Sequence, residues 1–323
     1  MPEHIISVGD LVLDVILPVS LPVYPAQHQA PDLRRIEPGG AGNFMIAAHN
    51  MGLNVTAAGT VGTDLFGPAI IEPLRQAGID TDCVVAVPGS TSTLVIVLTD
   101  HDTGEHVFIG HYGEGPEVPY PAGLDARIAD AAGLFIGGYT LAEKRLLAMA
   151  FRALERAVET DTPIYLDIGP FLTLAPPDRV QWVLEHSAVV LATEDEVPLA
   201  SAANGGHDGI AEDAMYAHLL TQGPEILVVK RGAYGCTIHT RDGWQQVPGF
   251  PAEVIDTVGP GDCFDAAFIA GLLHGLDLRQ CGRLANAMGA AAVGRVGAGT
   301  HAPTCADVMA ILEQAGERIE FPC

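Results

Sequence analysis

The chain has 323 residues, with 40 acidic against 16 basic side chains and a formal net charge of −24. Hydrophobic residues make up 48% of the sequence and charged residues only 17%, a balance that excludes an intrinsically disordered chain. The acidity argues against nucleic acid or an anionic membrane as a partner, because a phosphate backbone requires a basic protein face.

Short apolar runs alternate with longer segments of helical spacing along most of the chain. Buried strands are predicted at residues 5–9, 55–59, 134–136, 164–166, 189–191 and 226–229. Helices are predicted at residues 43–51, 68–78, 141–158, 208–221, 261–273 and 279–295. Short apolar strands of this kind are typical of parallel strands covered on both faces. The alternation therefore predicts a doubly wound α/β fold.

Two segments interrupt this alternation. Residues 12–37 are rich in proline and too extended for a helix, and residues 91–112 read as a β-hairpin around a polar turn. We expect both segments to form a small second sheet. Because no change in composition marks a boundary, we expect residues 1–323 to form a single domain.

The six cysteines are scattered, with no C-x-x-C pair and no histidine at zinc-binding spacing. Free or buried thiols in a reducing cytosol are therefore expected. The N-terminus, Met1-Pro2-Glu3-His4, lacks the basic region of a signal peptide. No uninterrupted apolar stretch approaches the length of about 18 residues that a transmembrane helix requires. These features predict a soluble cytoplasmic protein.

The segment from Asp256 to Asp262 leads directly into an apolar helix. Gly259, Pro260 and Gly261 form a tight loop, and the free N–H groups and positive dipole end of the following helix are suited to binding phosphate. Asp262 could take a proton from a substrate hydroxyl while those N–H groups hold a transferring phosphoryl group. The alternative interpretation is an ordinary capping aspartate in a tight turn.

A second glycine cluster, Gly39, Gly40 and Gly42, precedes Asn43 and another helix. Glycines let a ligand approach the backbone closely, and an asparagine side chain can both donate to and accept from a polyol. The alternative is a turn with an N-cap asparagine. The sequence contains neither a G-x-x-x-x-G-K-[ST] nor a G-x-G-x-x-G motif, so the better-known nucleotide-binding loops are excluded.

With these two motifs in order, about 210–220 residues apart, the chain resembles the ribokinase family of carbohydrate kinases, also called the PfkB family. The resemblance extends over essentially the whole chain. It implies an α/β three-layer sandwich with a central, mostly parallel sheet and a small β lid built from about residues 12–38 and 91–112. It also implies an ATP-dependent kinase that phosphorylates a hydroxyl of a small sugar or sugar-like polyol, with Mg2+ and ATP, and a monovalent cation such as K+.

The resemblance assigns the catalytic and acceptor positions. Asp262 matches the catalytic base, and Gly259 and Gly261 match the anion hole. The residues that match sugar ligands, together with one further candidate at a strand end, are Asp14, Asn43, Gly39, Gly40 and Asp10.

The resemblance also assigns nucleotide and metal positions. The residues that match the ATP site are Thr193, Lys230, Gly232, Gly235 and Asn286. Glu196 matches the carboxylate that organises Mg2+ through water, and Asp256, Val258 and Gly297 match the monovalent-cation loop. The lid implies a contact for a homodimer.

Three residues depart from the family pattern. Pro260 has no N–H group, and the loss of a true anion-hole donor costs about 10²–10³-fold in rate. Thr193 replaces the usual asparagine of an N-x-x-E motif, and Met45 replaces a small residue. Two alternatives therefore stay open: a nucleoside kinase on the same scaffold, and a catalytically weak sugar-binding regulatory protein.

Overall fold

A computed structural model describes residues 3–31, 35–100, 102–203 and 212–323. Residues 32–34 of the expected lid, His101 in the hairpin turn and residues 208–211 of a predicted helix lie outside the described part. The strands in it are β1 (His4–Val19), β2 (Arg35–Gly40), β3 (Asn54–Gly62), β4 (Asp80–Val87), β5 (Thr93–Asp100), β6 (His106–His111), β7 (Gly133–Gly137), β8 (Ile164–Asp167), β9 (Val189–Thr193), β10 (Ile226–Lys230), β11 (Cys236–Thr240) and β12 (Gly243–Val247).

The α-helices in the described residues lie between and after these strands. They are α1 (Ala41–Asn50), α2 (Phe66–Gln76), α3 (Leu124–Ala129), α4 (Gly138–Ala142), α5 (Lys144–Glu159), α6 (Pro177–His186), α7 (Val197–Ala203), α8 (Glu212–Gln222), α9 (Pro260–Leu273), α10 (Leu278–Val293) and α11 (Cys305–Gln314).

The central sheet has the strand order β12-β11-β10-β9-β8-β7-β1-β3-β4. The strands from β10 through to β4 run parallel to their neighbours, whereas β11 and β12 form an antiparallel edge. The order reverses at β1, which lies between β3 and β7. The predicted α/β fold class is confirmed. Ligands of open α/β sheets bind outside the carboxyl ends of the strands near such a reversal of order.

The first strand belongs to two sheets. Residues 4–10 of β1 pair with β3 and β7, whereas residues 11–19 pair with β2 and β5. Strand β6 pairs with β5 as the predicted antiparallel hairpin. The strand predicted at 5–9 is therefore longer in the structure, and its second half forms the small sheet that we call the lid (residues 11–19 with β2, β5 and β6).

The core lies on both faces of the central sheet. Ile5 and Phe44 belong to a buried cluster with α9, α10 and α11, whereas Ile6 and Val8 belong to a cluster with α3, α5 and α6. Side chains of successive strand residues point to opposite faces, so β1 supplies both clusters. The result is a helix–sheet–helix sandwich in which α9, one of the most apolar helices, is buried along most of its length.

The helix predicted at 141–158 is two helices in the structure. Glu143 has extended dihedral angles, and its side chain accepts a hydrogen bond from the backbone N–H of Arg145 at the start of α5. A capping interaction of this kind stabilises a helix N-terminus, so the chain begins a new helix there. Sequence periodicity cannot detect this break because both helices present apolar residues to the same cluster.

The expectation of free thiols is wrong for two of the six cysteines. Cys305, at the start of α11, and Cys323 form a disulfide, whereas Cys83, Cys236, Cys263 and Cys281 are free and buried. The two bonded residues are 18 positions apart and carry no motif, so only the folding of the C-terminal segment back onto α11 brings them together. Within the described ranges, no helix is long and apolar enough to cross a bilayer.

Candidate active site

Functional side chains collect at the carboxyl edge of the central sheet. Strands β8, β9 and β10 end at Asp167, Thr193 and Lys230, and the N-terminus of α9 lies against the same edge because Asp265 of that helix contacts Lys230. The short apolar strands stop where their polar residues begin. Parallel pairing therefore brings these polar residues together at one end of the sheet.

Asp262 lies in the first turn of α9 and is fixed by Asn43 of α1. The Asn43 amide donates a hydrogen bond to the Asp262 carboxylate at 3.0 Å, and its oxygen accepts one from the Gly299 N–H at 2.9 Å. Burial and the charge of Asp167 raise the pKa of Asp262 to about 7, although the hydrogen bond from Asn43 opposes the shift. A carboxylate with a pKa near neutrality is suited to general-base catalysis.

The glycines of the helix start allow this arrangement. Gly259 has a φ of 78°, a conformation that favours glycine, and a Cβ on it would overlap Ala298. Gly261 follows Pro260 in the first turn, and both are half-buried. The amides of this first turn have no partner within the helix and lie close to Asp262 in the chain.

Asp14 of the lid lies close enough to Asp262 for their charges to interact. It is 7% exposed, and burial, with the charges of Asp262 and Glu37, raises its pKa to about 7. A Cβ on Gly39 would overlap the Asp14 carboxylate, so this position requires a glycine for close packing. Gly40 follows with a φ of 54° and is the N-cap residue of α1. Asp14, Gly39, Gly40 and Asn43 are therefore brought together as predicted acceptor ligands.

Asp10 lies where β1 passes from the central sheet into the lid. It is 8% exposed, and burial raises its pKa to about 7 despite a hydrogen bond with Thr93. Glu143 and Arg145 also influence it through their charges. These two residues form an ion pair with each other at 3.2 Å, and no ion pair joins Asp10 to a cation among the described residues.

Lys230 forms a buried network with two aspartates. Its ammonium donates to Asp167 at 2.7 Å and to Asp265 of α9 at 3.0 Å. Burial alone would lower the pKa of Lys230, but Asp167 and Asp265 outweigh it and hold the pKa well above its usual value. Lys230 is therefore charged at every physiological pH.

The predicted nucleotide loop follows β10. Gly232 and Gly235 have φ values of 52° and 89°, and the Gly235 N–H donates to the Gly232 carbonyl at 3.0 Å. Asn286 of α10 donates its amide to the carbonyls of Val247 and Pro248, both at 3.1 Å. Asn286 therefore holds the backbone at the end of β12.

Thr193 and Glu196 are close to the same edge. The Thr193 N–H donates to the Glu196 carboxylate at 2.7 Å. Burial, followed by the charge of Asp167, raises the pKa of Glu196. Among the described residues no group of three or more histidine, cysteine or acidic side chains could hold a metal ion by itself. Mg2+ usually binds one or two carboxylates plus waters and substrate phosphates, and Glu196 beside Asp167 fits that mode.

The residues of the predicted cation loop converge on one carboxylate. Asp256 is 2% exposed and accepts hydrogen bonds from the N–H groups of Val258 at 3.0 Å and Gly297 at 2.8 Å. Gly297 has a φ of 73°. Asp256 therefore joins the segment before α9 to the loop after α10. The same loop contains Gly299, whose N–H donates to the Asn43 side chain.

Sequence reasoning missed several residues of the site. Tyr139, after β7, packs against Phe171 with ring centroids 5.0 Å apart, and Phe171 packs against Tyr112 at 5.6 Å. Burial and the charges of Asp262 and Glu196 raise the pKa of Tyr139, so this aromatic cluster lies beside the base. Asp265 was also missed, although a charged residue inside an apolar helix was a detectable signal.

The open α/β sheet thus ends beside a half-buried carboxylate at the N-terminus of a helix, close to an aspartate of the small lid. A family model described as pfkB family carbohydrate kinase matches residues 2–305. The chain is 26% identical over 295 residues to 5-dehydro-2-deoxygluconokinase of Bacillus thuringiensis (strain Al Hakam), covering 87% of each chain. It is 27% identical over 330 residues to fructokinase-1 of Zea mays, covering 97% of this chain and 98% of that one.

Solved structures share the fold. Arabidopsis thaliana ribokinase, complexed with ribose and ATP, matches 97% of this chain with a TM-score of 0.80 and 20% identity, and 99% of that chain is covered. Burkholderia thailandensis nucleoside kinase with inosine matches 97% with a TM-score of 0.77 and 25% identity, over 98% of its own length. An E. coli chain solved with ATP and Mg2+ matches 97% with a TM-score of 0.81 and 21% identity, and 99% of it is covered.

The chain belongs to the PfkB family of carbohydrate kinases, as the sequence predicted. It is a phosphotransferase that acts on a hydroxyl group, and its relatives are named sugar kinases. The roles of the individual site residues stay predictions.

Proposed function

We propose that this kinase phosphorylates a small neutral polyhydroxy acceptor, with Asp262 as the general base and ATP with Mg2+ as the donor. The observation that carries the proposal is the charge of the acceptor side. Asp14 is a buried carboxylate whose charge interacts with that of Asp262, and Asp10 is a second buried carboxylate on the same strand as Asp14; all three have pKa values raised to about 7. Carboxylates accept hydrogen bonds from sugar hydroxyls, whereas an acidic acceptor would add a further negative charge to this group.

Two cations whose charges act on these carboxylates are each paired with other acidic side chains. Arg145, whose charge acts on Asp10, forms an ion pair with Glu143. Lys230, whose charge acts on Asp262, forms ion pairs with Asp167 and Asp265. Both cations already have acidic partners that offset their charge, which favours a neutral sugar or polyol over a sugar acid.

The donor site that we propose lies between the ends of β9 and β10 and the N-terminus of α9. Gly232 and Gly235 form the loop on the phosphate side of the nucleotide, and Thr193 lies beside it. Asn286 supports the backbone near the adenine. Glu196, with Asp167 close by, would orient Mg2+ through its waters. The ion supplies charge neutralisation on the phosphates. Asp262 accepts the proton of the acceptor hydroxyl, and the amides of Gly259 and Gly261 hold the phosphoryl group.

The test is ADP release by the purified chain over a panel of neutral sugars, the corresponding sugar acids and nucleosides. A neutral sugar is expected to give a kcat/KM at least about 100-fold above that of its acid, which corresponds to about 3 kcal/mol of differential binding. Faster turnover of the sugar acid would contradict the proposal of a neutral acceptor, but it would still show that the protein is a kinase. Absence of ADP with every acceptor would overturn the proposed function and support the regulatory alternative.

A nucleoside acceptor is the second candidate. The aromatic cluster of Tyr112, Tyr139 and Phe171 favours it, because aromatic faces stack on bases. Replacing Tyr139 by alanine separates the two. A nucleoside kinase would lose affinity for its acceptor by at least about tenfold through lost stacking, whereas a sugar kinase would keep most of its acceptor affinity.

We further propose that Asp256, Val258 and Gly297 belong to a loop that responds to a monovalent cation. Support comes from their convergence and from the link of this loop to Asn43 through Gly299. Backbone carbonyls suit such an ion. Activity in KCl against choline chloride at equal ionic strength tests this, and equal rates would contradict it.

A homodimer through the lid is our proposal for the assembly. Strand β6 pairs with β5 and presents Val107, Phe108 and Ile109, which are 44%, 52% and 54% exposed. An apolar strand of this kind at a sheet edge is a site for pairing with another chain, and a second copy is the proposed occupant. Light scattering of Phe108→Glu against the wild type tests it, and two identical masses would contradict it.

We place the protein in the cytoplasm, where ATP is supplied, without a nucleic-acid or membrane partner.

A further inference from the structure

The N-terminal turn of α9 has fewer backbone donors than an ordinary helix. The first four N–H groups of a helix normally lack a helical partner. The first helical residue here is Pro260, which has no N–H group, so the turn offers only the amides of Gly259, Gly261 and Asp262. A missing donor in an anion hole costs about 10²–10³-fold in rate.

Lys230 lies directly beside this turn. Its ammonium nitrogen is 3.7 Å from the position that a Cβ on Gly261 would occupy. An ammonium carries three N–H donors, and the described contacts of Lys230 use two of them, on Asp167 and Asp265. The third donor is thus available to an anion at the start of α9.

Asp265 is difficult to explain by packing alone. It is 0% exposed on an apolar helix, and its Oδ1 has no hydrogen-bond partner among the described residues. Burying a carboxylate without complete hydrogen bonding is unfavourable. Its other oxygen holds the Lys230 ammonium, so placing that cation is the interaction that offsets the burial.

The choice of lysine at this position is also unusual for the chain. The sequence has 14 arginines but only two lysines, and the other, Lys144, is exposed. A compact ammonium fits a crowded phosphate site, whereas a guanidinium is larger and binds in a planar fork. Lys230, one of the two lysines in a chain that otherwise uses arginine, therefore lies at the proposed anion site.

We infer that Lys230 donates an N–H to the transferring phosphoryl group in place of the amide missing at Pro260, and that Asp265 is a positioning residue for Lys230. The inference rests on the proposed transfer at Asp262. In that step the acceptor oxygen bonds to the γ-phosphorus, and the bond from phosphorus to the bridging oxygen of ADP breaks. The acceptor proton moves to Asp262. Lys230 stays protonated and only stabilises the charge on the phosphoryl oxygens.

The test crosses Lys230→Gln with Pro260→Ala. The readouts are kcat, the KM for ATP, and the affinity for ADP with Mg2+ in the presence and absence of aluminium fluoride, which mimics the planar phosphoryl group. Lys230→Gln is expected to lower kcat and the affinity for the fluoride complex by about 10²-fold, and to change the affinity for ADP alone by less than about threefold. Lys144→Gln serves as the control for loss of a lysine.

Pro260→Ala restores a backbone donor, so it is expected to raise kcat by about tenfold in the Lys230→Gln background and by clearly less in the wild type. If Lys230→Gln fails to fold, Asp265→Asn takes its place with the same expected coupling. Equal effects of Pro260→Ala in both backgrounds, or a loss confined to thermal stability and ADP affinity, would overturn the inference. Turnover by the wild type decides the proposed function separately.

Discussion

The pH dependence of phosphoryl transfer depends on Asp262. Its pKa is raised to about 7 by burial and by the charge of Asp167, so a base with this pKa is ionised in about one molecule in eleven at pH 6 and about ten in eleven at pH 8. We therefore expect kcat/KM to rise about tenfold between pH 6 and pH 8. The limiting slope of log kcat/KM is one if Asp262 alone must ionise, and it approaches two if Asp14 must ionise as well.

Asp262→Asn separates chemistry from folding. Removing the base is expected to lower kcat by about 10²–10⁴-fold. The same substitution is expected to increase the free energy of unfolding although it lowers the rate. Because the folded-state pKa of Asp262 lies above its unfolded value, ionisation costs stability increasingly as pH rises from about 4 to 7. The variant should therefore gain stability at pH 8, by at most about 4 kcal/mol for a shift of this size, and little at pH 4.

The assay is steady-state ADP release from pH 5.5 to 8.5 at saturating ATP, with thermal denaturation of both proteins at pH 4 and pH 8. Asp14→Asn is the matched variant, since it removes a neighbouring carboxylate whose pKa is also raised to about 7 but leaves the base. A flat profile in the wild type together with more than about one tenth of normal kcat in Asp262→Asn would refute the role of Asp262 as base.

Three further predictions concern the acceptor side, the metal and the disulfide. Gly39→Ala should raise the acceptor KM by about tenfold by displacing Asp14, without changing the KM for ATP, whereas Gly289→Ala, which has open space around it, should change neither; equal effects on both substrates would contradict the assignment. Glu196→Gln should raise the Mg2+ concentration for half-maximal rate by about tenfold or more, and an unchanged Mg2+ titration would count against it. Reduction of the bond between Cys305 and Cys323 should lower stability by about 3 kcal/mol for a closed loop of this length, measured as Tm with and without dithiothreitol; an unchanged Tm would contradict the prediction.

Much of the fold was predictable because its signals are local. The apolar runs at the centres of β1, β8, β9 and β10 and the glycine-containing starts of α1 and α9 can be recognised within a few residues. The strands β11 and β12 lack a continuous apolar run and were not predicted. β12 is largely exposed, whereas β11 is mostly buried but carries threonine and histidine between its apolar residues. The break between α4 and α5 was missed because a single capping contact at Glu143 decides it.

The sequence by itself determined the fold class, the family, and the two helix starts that carry Asn43 and Asp262. Only the tertiary structure decided the partners: Lys230 with Asp167 and Asp265, 63 and 35 positions away, Asp14 with Gly39, and Cys305 with Cys323. The physical reason is one of range. Hydrophobic periodicity and helix starts are fixed by neighbouring residues, whereas ion pairs and pKa values depend on which distant strand ends the sheet brings together and how deeply it buries them.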